Sequence, residues 1–187
     1  MNDEYYGRVY GLTDSDRHTY GAEDMQELVS ILSALDRESG VEQDSPWRSG
    51  RVWERAMTAP RRRMRGLLAT GVPREPGVLV FFEDGRPVYV GTGAGKTGLR
   101  GRMRQHLATG TDLSSSTLRA SVAVDVLGIS RWTARQRPSV LLQSMVDEVN
   151  EVMAELEVAW IICSDADESR SLKDALWSEY KPEYNIL

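Results

Sequence analysis

Apolar residues recur three and four positions apart at Met25, Leu28, Val29, Leu32 and Leu35, a spacing that predicts an amphipathic helix over residues 24–38. The turn formers that follow, ESGVEQDSPWRSG, predict a loop over residues 38–50. A second helix is expected from about Arg51 into residues 61–68, interrupted or restarted at Pro60, which lacks the N–H a helix needs. Gly71, Pro73 and Pro76 mark a boundary. From Gly77 the period changes. GVLVFF and VYVG flank EDGRP, two short β-rich runs around an Asp-Gly turn signal, and predict a hairpin. A glycine-rich turn over residues 92–98 leads into LRGRMRQHL, where Leu99, Met103 and Leu107 form one helical row, Arg102 and His106 the next, and Arg100 and Arg104 lie on the other side. Ser114 to Thr117 offer caps for a helix over residues 118–127, and Leu142, Met145, Val146, Val149, Val152, Met153 and Leu156 make the clearest amphipathic helix of the chain. Residues 158–163 read as a central strand. Residues 169–180 read as a last helix with Leu172, Leu176 and Tyr180 inward, ended by Pro182.

The 187 residues, 41% of them hydrophobic, suffice for one domain of ordinary size plus an extension. The pattern divides them into a helical N-terminal extension, residues 1–72, and an α/β domain, residues 73–187. One cysteine, Cys163, excludes a disulfide framework and a CxxC zinc site. No signal peptide is visible and the longest apolar stretch, Val78 to Phe82, has the length of a strand, so a cytoplasmic protein without a membrane partner is expected. Charge changes the picture more. The net value is −5, but residues 1–60 carry 6 basic and 12 acidic groups, residues 61–137 carry 14 and 5, and residues 138–187 carry 3 and 11. The middle of the chain is a basic island, the footprint expected of a nucleic-acid partner or of a charged face alone.

GTGAGKT, residues 91–97, stands after a strand and before a helix, where a phosphate-cradling P-loop would be. Only three residues separate its first glycine from the Gly-Lys pair, one fewer than that loop needs, so no nucleotide cofactor is expected. Two arginine clusters could contact a nucleic-acid backbone: Arg61, Arg62, Arg63 and Arg65, and Lys96, Arg100, Arg104 and Arg119. Trp47 and Trp53 are candidates for stacking on bases and equally for anchoring a core.

Taken in order, Gly77-Val78-Leu79, Tyr89-Val90-Gly91, Arg102 and His106 four apart on a helix, and Pro182-Glu183-Tyr184-Asn185 resemble the GIY-YIG nuclease family. The resemblance covers residues 77–187. It implies a small, mostly antiparallel three-stranded sheet flanked by helices, and hydrolysis of DNA phosphodiesters with one divalent cation, Mg²⁺ or Mn²⁺. Such chemistry needs a base for water, a cation for the charge building on phosphate, a metal for the leaving oxygen and a carboxylate for the metal. By the resemblance Tyr89 is the base, Arg102 stabilises the phosphate, His106 orients or shares the proton, and Asn185 contacts phosphate or stiffens the site. A homodimer is conceivable where both strands are cut.

Two positions depart from the family's pattern. Leu79 stands where the first motif has tyrosine. Lys173 stands twelve residues before Asn185, where the family has its metal-binding glutamate, and an ammonium cannot ligate Mg²⁺. Asp174 is adjacent but about 100° round the helix, with Asp165, Asp167 and Glu168 before it. The metal ligands are therefore unknown. Two outcomes are expected: a cation-dependent DNA endonuclease, or a degenerate domain that binds DNA or a partner without cleavage and needs no cofactor.

Overall fold

The computed structural model describes residues 50–186, within the second of two units into which the chain divides, residues 44–187. The helix predicted over residues 24–38, the loop before Gly50 and Trp47 lie outside the described residues.

The central strands form from short, continuous β-rich apolar runs. β2 (Gly77–Glu83) and β3 (Arg86–Thr92) make the hairpin foreseen from GVLVFF and VYVG. Asp84 and Gly85, both at positive φ (48° and 81°), form its two-residue turn, the conformation an Asp-Gly pair adopts most readily. β2 also pairs with β4 (Glu157–Ile162), and β4 pairs with β1 (Arg62–Arg63), giving a fully antiparallel sheet in the order β1-β4-β2-β3. The fold is thus mixed α+β, with four strands where three were expected.

The fourth strand replaces part of a predicted helix. α1 (Arg51–Thr58) stops before Pro60 and does not restart over residues 61–68. Arg62 and Arg63 instead align with Val158 and Glu157 on the free edge of β4. No local period announces such a strand, because its stability comes from a partner almost a hundred positions away. Residues 51–72, assigned above to the extension, therefore belong to the same unit as the sheet.

The two faces of the sheet carry different helices. Val78, Val80, Phe82, Val90, Ala159 and Ile161 cluster with Trp53 and Ala56 of α1 and with Leu172, Leu176 and Tyr180, which meet this face from α6 (Ala166–Glu179). Trp53 is fully buried and meets Tyr180 edge to face at 5.9 Å, so it is a core anchor. Leu79, Phe81, Tyr89 and Val158 point to the other face, towards α2 (Gly98–His106), α3 (Thr117–Leu127) and α5 (Gln143–Glu155). This split follows from the two-residue period of a strand, which sends neighbours to opposite sides. Each such Val, Leu or Phe stabilises the fold by roughly 1.5–3 kcal/mol. Two short helices complete the unit, α4 (Arg131–Ala134) and α7 (Glu183–Ile186).

The GTGAGKT turn is consumed by the fold. The first N–H groups of α2, which a P-loop would aim at phosphate, donate to the protein's own carbonyls: Leu99 N to Glu75 O at 3.0 Å and Arg100 N to Pro73 O at 2.8 Å.

Candidate functional site

Tyr89 lies on β3 facing α2, where Arg102 and His106 stack one turn apart, so the hairpin and helix bring together three residues that the chain order had singled out. Arg102 donates from Nη2 to the Tyr89 phenol oxygen at 3.1 Å and from Nη1 to Gln105 Oε1 at 2.7 Å. Tyr89 is 3% exposed and Arg102 half-buried, its Nε shut off from solvent without a hydrogen-bond partner among the described residues, so Arg102 is the more exposed member of the pair. Leu79, where the family's pattern has tyrosine, is fully buried in the same cluster and contributes packing alone.

Gly91 lets the Tyr89 ring lie where it does. A Cβ at position 91 would stand 2.8 Å from Tyr89 Cε1 and 3.3 Å from its hydroxyl oxygen. Any side chain there would displace the ring, and with it the phenol oxygen.

His106 is buried behind the pair, its ring 5.1 Å from Phe81 and 5.7 Å from Tyr89, both edge to face. Its Nδ1 is 2.8 Å from Ser116 Oγ. That hydroxyl also caps α3, accepting from Arg119 N at 3.1 Å. Nε2 is buried and has no hydrogen-bond partner among the described residues. Burial, then the guanidinium groups of Arg102 and Arg119, push the His106 pKa well below its usual value, so the ring is neutral at pH 7. Ser116 was legible as a cap but not as the partner that orients His106.

Asn185 does not face the phenol. Its carboxamide is spent on one residue of β3: Oδ1 accepts from Val90 N at 2.7 Å and Nδ2 donates to Val90 O at 2.8 Å. Of its two expected roles the geometry supports the stiffening one. α7 is held in place by Ser121, which donates to Tyr184 O at 2.8 Å, and by the Tyr184 hydroxyl, 3.2 Å from Asp125 Oδ2.

Lys173 projects from α6, the helix that covers β2 and β3 on the opposite face from Tyr89. Its Nζ is 3.0 Å from Asp174 Oδ1 and 5.7 Å from the Trp177 ring. One turn earlier Ser169 is buried, donates to Gly77 O at 2.7 Å and lies 2.5 Å from the Thr92 hydroxyl, so this row of α6 meets the sheet. Of the substitutes considered, Asp174 is held by Lys173, Asp167 by Arg170 at 2.5 Å, and Asp165 and Glu168 are spent on the start of α6 and on Ser164. This donor set does not fit a divalent cation.

The expected cation clusters separate. Lys96 and Arg104 are exposed, and Arg100 donates from Nε to Val72 O at 2.8 Å. Arg119 is a correction: it is fully buried, its Nη2 donating to Gly110 O at 3.1 Å and Asn150 Oδ1 at 2.9 Å, so it presents nothing to a backbone outside. The reason is that Leu118 to Ala123 are all buried, so this part of α3 has no outward face. Arg61 stacks on Phe82 at 4.0 Å, Arg62 on Trp160 at 5.3 Å, and Arg65 pairs with Glu151 and Glu155 at 3.1 and 2.5 Å. Those cations hold the sheet edge to α5 and β4. No helix among the described residues is long and apolar enough to cross a membrane.

The chain matches no known family model and no curated protein sequence. The functional reading rests on these residues and their geometry.

Proposed function

We propose that this chain is a GIY-YIG-type domain that binds the DNA backbone without metal-dependent cleavage. The observation that carries it is the contact between the Arg102 guanidinium and the Tyr89 phenol, 3.1 Å apart. A planar, permanently charged fork is suited to two phosphate oxygens, and no carboxylate among the described residues competes for it. The neutral His106, buried behind it, adds no second charge. Lys96 and Arg104, exposed on the same turn and helix, supply contacts along a backbone.

Whether a carboxylate can hold a cation beside Arg102 separates binding from cutting. Lys173, on the helix that covers the opposite face of the sheet from Tyr89, supplies no ligand for Mg²⁺ or Mn²⁺. The second reading, a DNA endonuclease that hydrolyses phosphodiesters with such a cation, is favoured by the Tyr89–Arg102 pair, which that chemistry also requires.

A plasmid-nicking assay with Mg²⁺ or Mn²⁺, beside gel shifts at several salt concentrations, separates the two. Wild type is expected to shift DNA without nicking it, and Arg102→Ala to lose affinity. Nicking by wild type that Arg102→Ala abolishes would establish the endonuclease instead.

A further inference from the structure

Residues 131–137 build a second cationic feature, apart from Arg102. α4 is only four residues long, but it is firmly placed. Ser130 Oγ accepts from Thr133 N at 3.0 Å at its start, and Ala134 is buried in the core. With that face inward, Trp132 is turned out and is 72% exposed. Arg131 opens α4 and Arg135 caps its end, and both line the surface beside Trp132. Arg137 is fixed through its Nε by the Ser114 hydroxyl and by Asp112, 3.5 Å away. Together with Gln136 these residues line an open groove of about 610 Å³, within the range of roughly 300–1,000 Å³ common for small-ligand sites.

The chemistry of that lining is specific. Among the described residues Arg61, Arg65, Arg86 and Arg170 each face a carboxylate, whereas Arg131 and Arg135 face none. An exposed indole offers a flat face for stacking, and two unneutralised guanidinium groups beside it suit the phosphates on either side of a base. The Gln136 amide adds a donor and an acceptor for a base edge. A duplex keeps its bases stacked on one another and presents no face to the indole. An acidic peptide would satisfy the arginines and leave the indole unused.

We propose that the groove lined by Arg131, Trp132, Arg135, Gln136 and Arg137 is a binding site for an unpaired nucleotide, and so for a single-stranded stretch of nucleic acid. It rests on the reading of the chain as a DNA-binding domain, and assigns the single-strand contact to a place distinct from Arg102.

The test is fluorescence anisotropy of the full chain with a labelled oligo-dT and with a duplex of equal length. Trp132→Ala is expected to weaken oligo-dT binding about tenfold, in keeping with the loss of one stacked base, and to leave duplex binding unchanged. Trp132→Phe, which keeps a ring, should restore most of the affinity. Replacing Arg131 and Arg135 by Gln should flatten the salt dependence on oligo-dT by about 1.4 in log–log slope, the loss of two single-strand phosphate contacts. Oligo-dT binding that is insensitive to Trp132→Ala, or an equal loss on both DNAs, overturns the groove while leaving Arg102-dependent binding intact. If wild type binds neither DNA, the DNA-binding reading falls and the groove with it.

Discussion

His106 is held neutral by burial beside two guanidinium groups, and the sign of the consequence is definite. The unfolded chain takes up a proton near pH 6.5 that the folded chain refuses, so stability is retained above that pH and lost below it. A group of this kind contributes a slope of up to about 1.4 kcal/mol per pH unit. Urea midpoints measured from pH 7.5 down to pH 5 should fall for wild type and fall less steeply for His106→Asn. Gly91→Ala tests the neighbouring geometry. The added Cβ must push the Tyr89 ring aside, so DNA affinity should drop severalfold with the melting temperature reduced by no more than a few degrees, as gel shift and thermal melting would report. Tyr89, Arg102 and His106 were singled out together by the family resemblance, and spacing alone showed only that Arg102 and His106 lie one helical turn apart. The buried place of Arg119 was not legible, because the first part of α3 is buried all round and carries no amphipathic pattern to separate an inward arginine from an outward one.

At the scale of elements, the link between α7 and β3 is the one most open to experiment. The Asn185 side chain completes both polar groups of Val90. Losing it should cost on the order of 1–3 kcal/mol, since two backbone groups lose their partners. Asn185→Ala should therefore lower the melting temperature and speed exchange of the Val90 amide, while Asn185→Asp, which keeps an acceptor, should protect that amide better. The α2 helix and the long α5 helix were visible in the spacing of apolar residues, the hairpin in two β-rich runs around an Asp-Gly turn and the cap of α3 in its serines, since each is specified by its own sequence. β1 was invisible for the opposite reason. Two residues carry no period, and Arg62 and Arg63 become a strand only because β4 leaves an edge beside them.

The whole molecule redistributes the basic island that the charge count revealed. Its first part is neutralised in part, with Arg61 and Arg65 paired to Glu157, Glu151 and Glu155. Its middle and end, around Lys96, Arg104, Arg131 and Arg135, stay open. Arg65→Ala should thus leave DNA affinity and its salt dependence unaltered, whereas replacing both Lys96 and Arg104 by Ala should weaken duplex binding and flatten the salt slope by about 1.8, two phosphate contacts' worth. Gel shifts at graded salt concentrations distinguish the two variants. Net charge alone would have predicted the same effect from each. The sheet itself has two outer edges, and the chain treats them differently. One ends in a two-residue strand of arginines, too short and too charged to template another chain. The other is stoppered at Val90 by a carboxamide that imitates the next strand's peptide group. Removing that stopper would leave an edge open to a second molecule, so the Asn185→Ala protein should self-associate through β3 as its concentration rises, and the asparagine serves solubility as much as it serves the site.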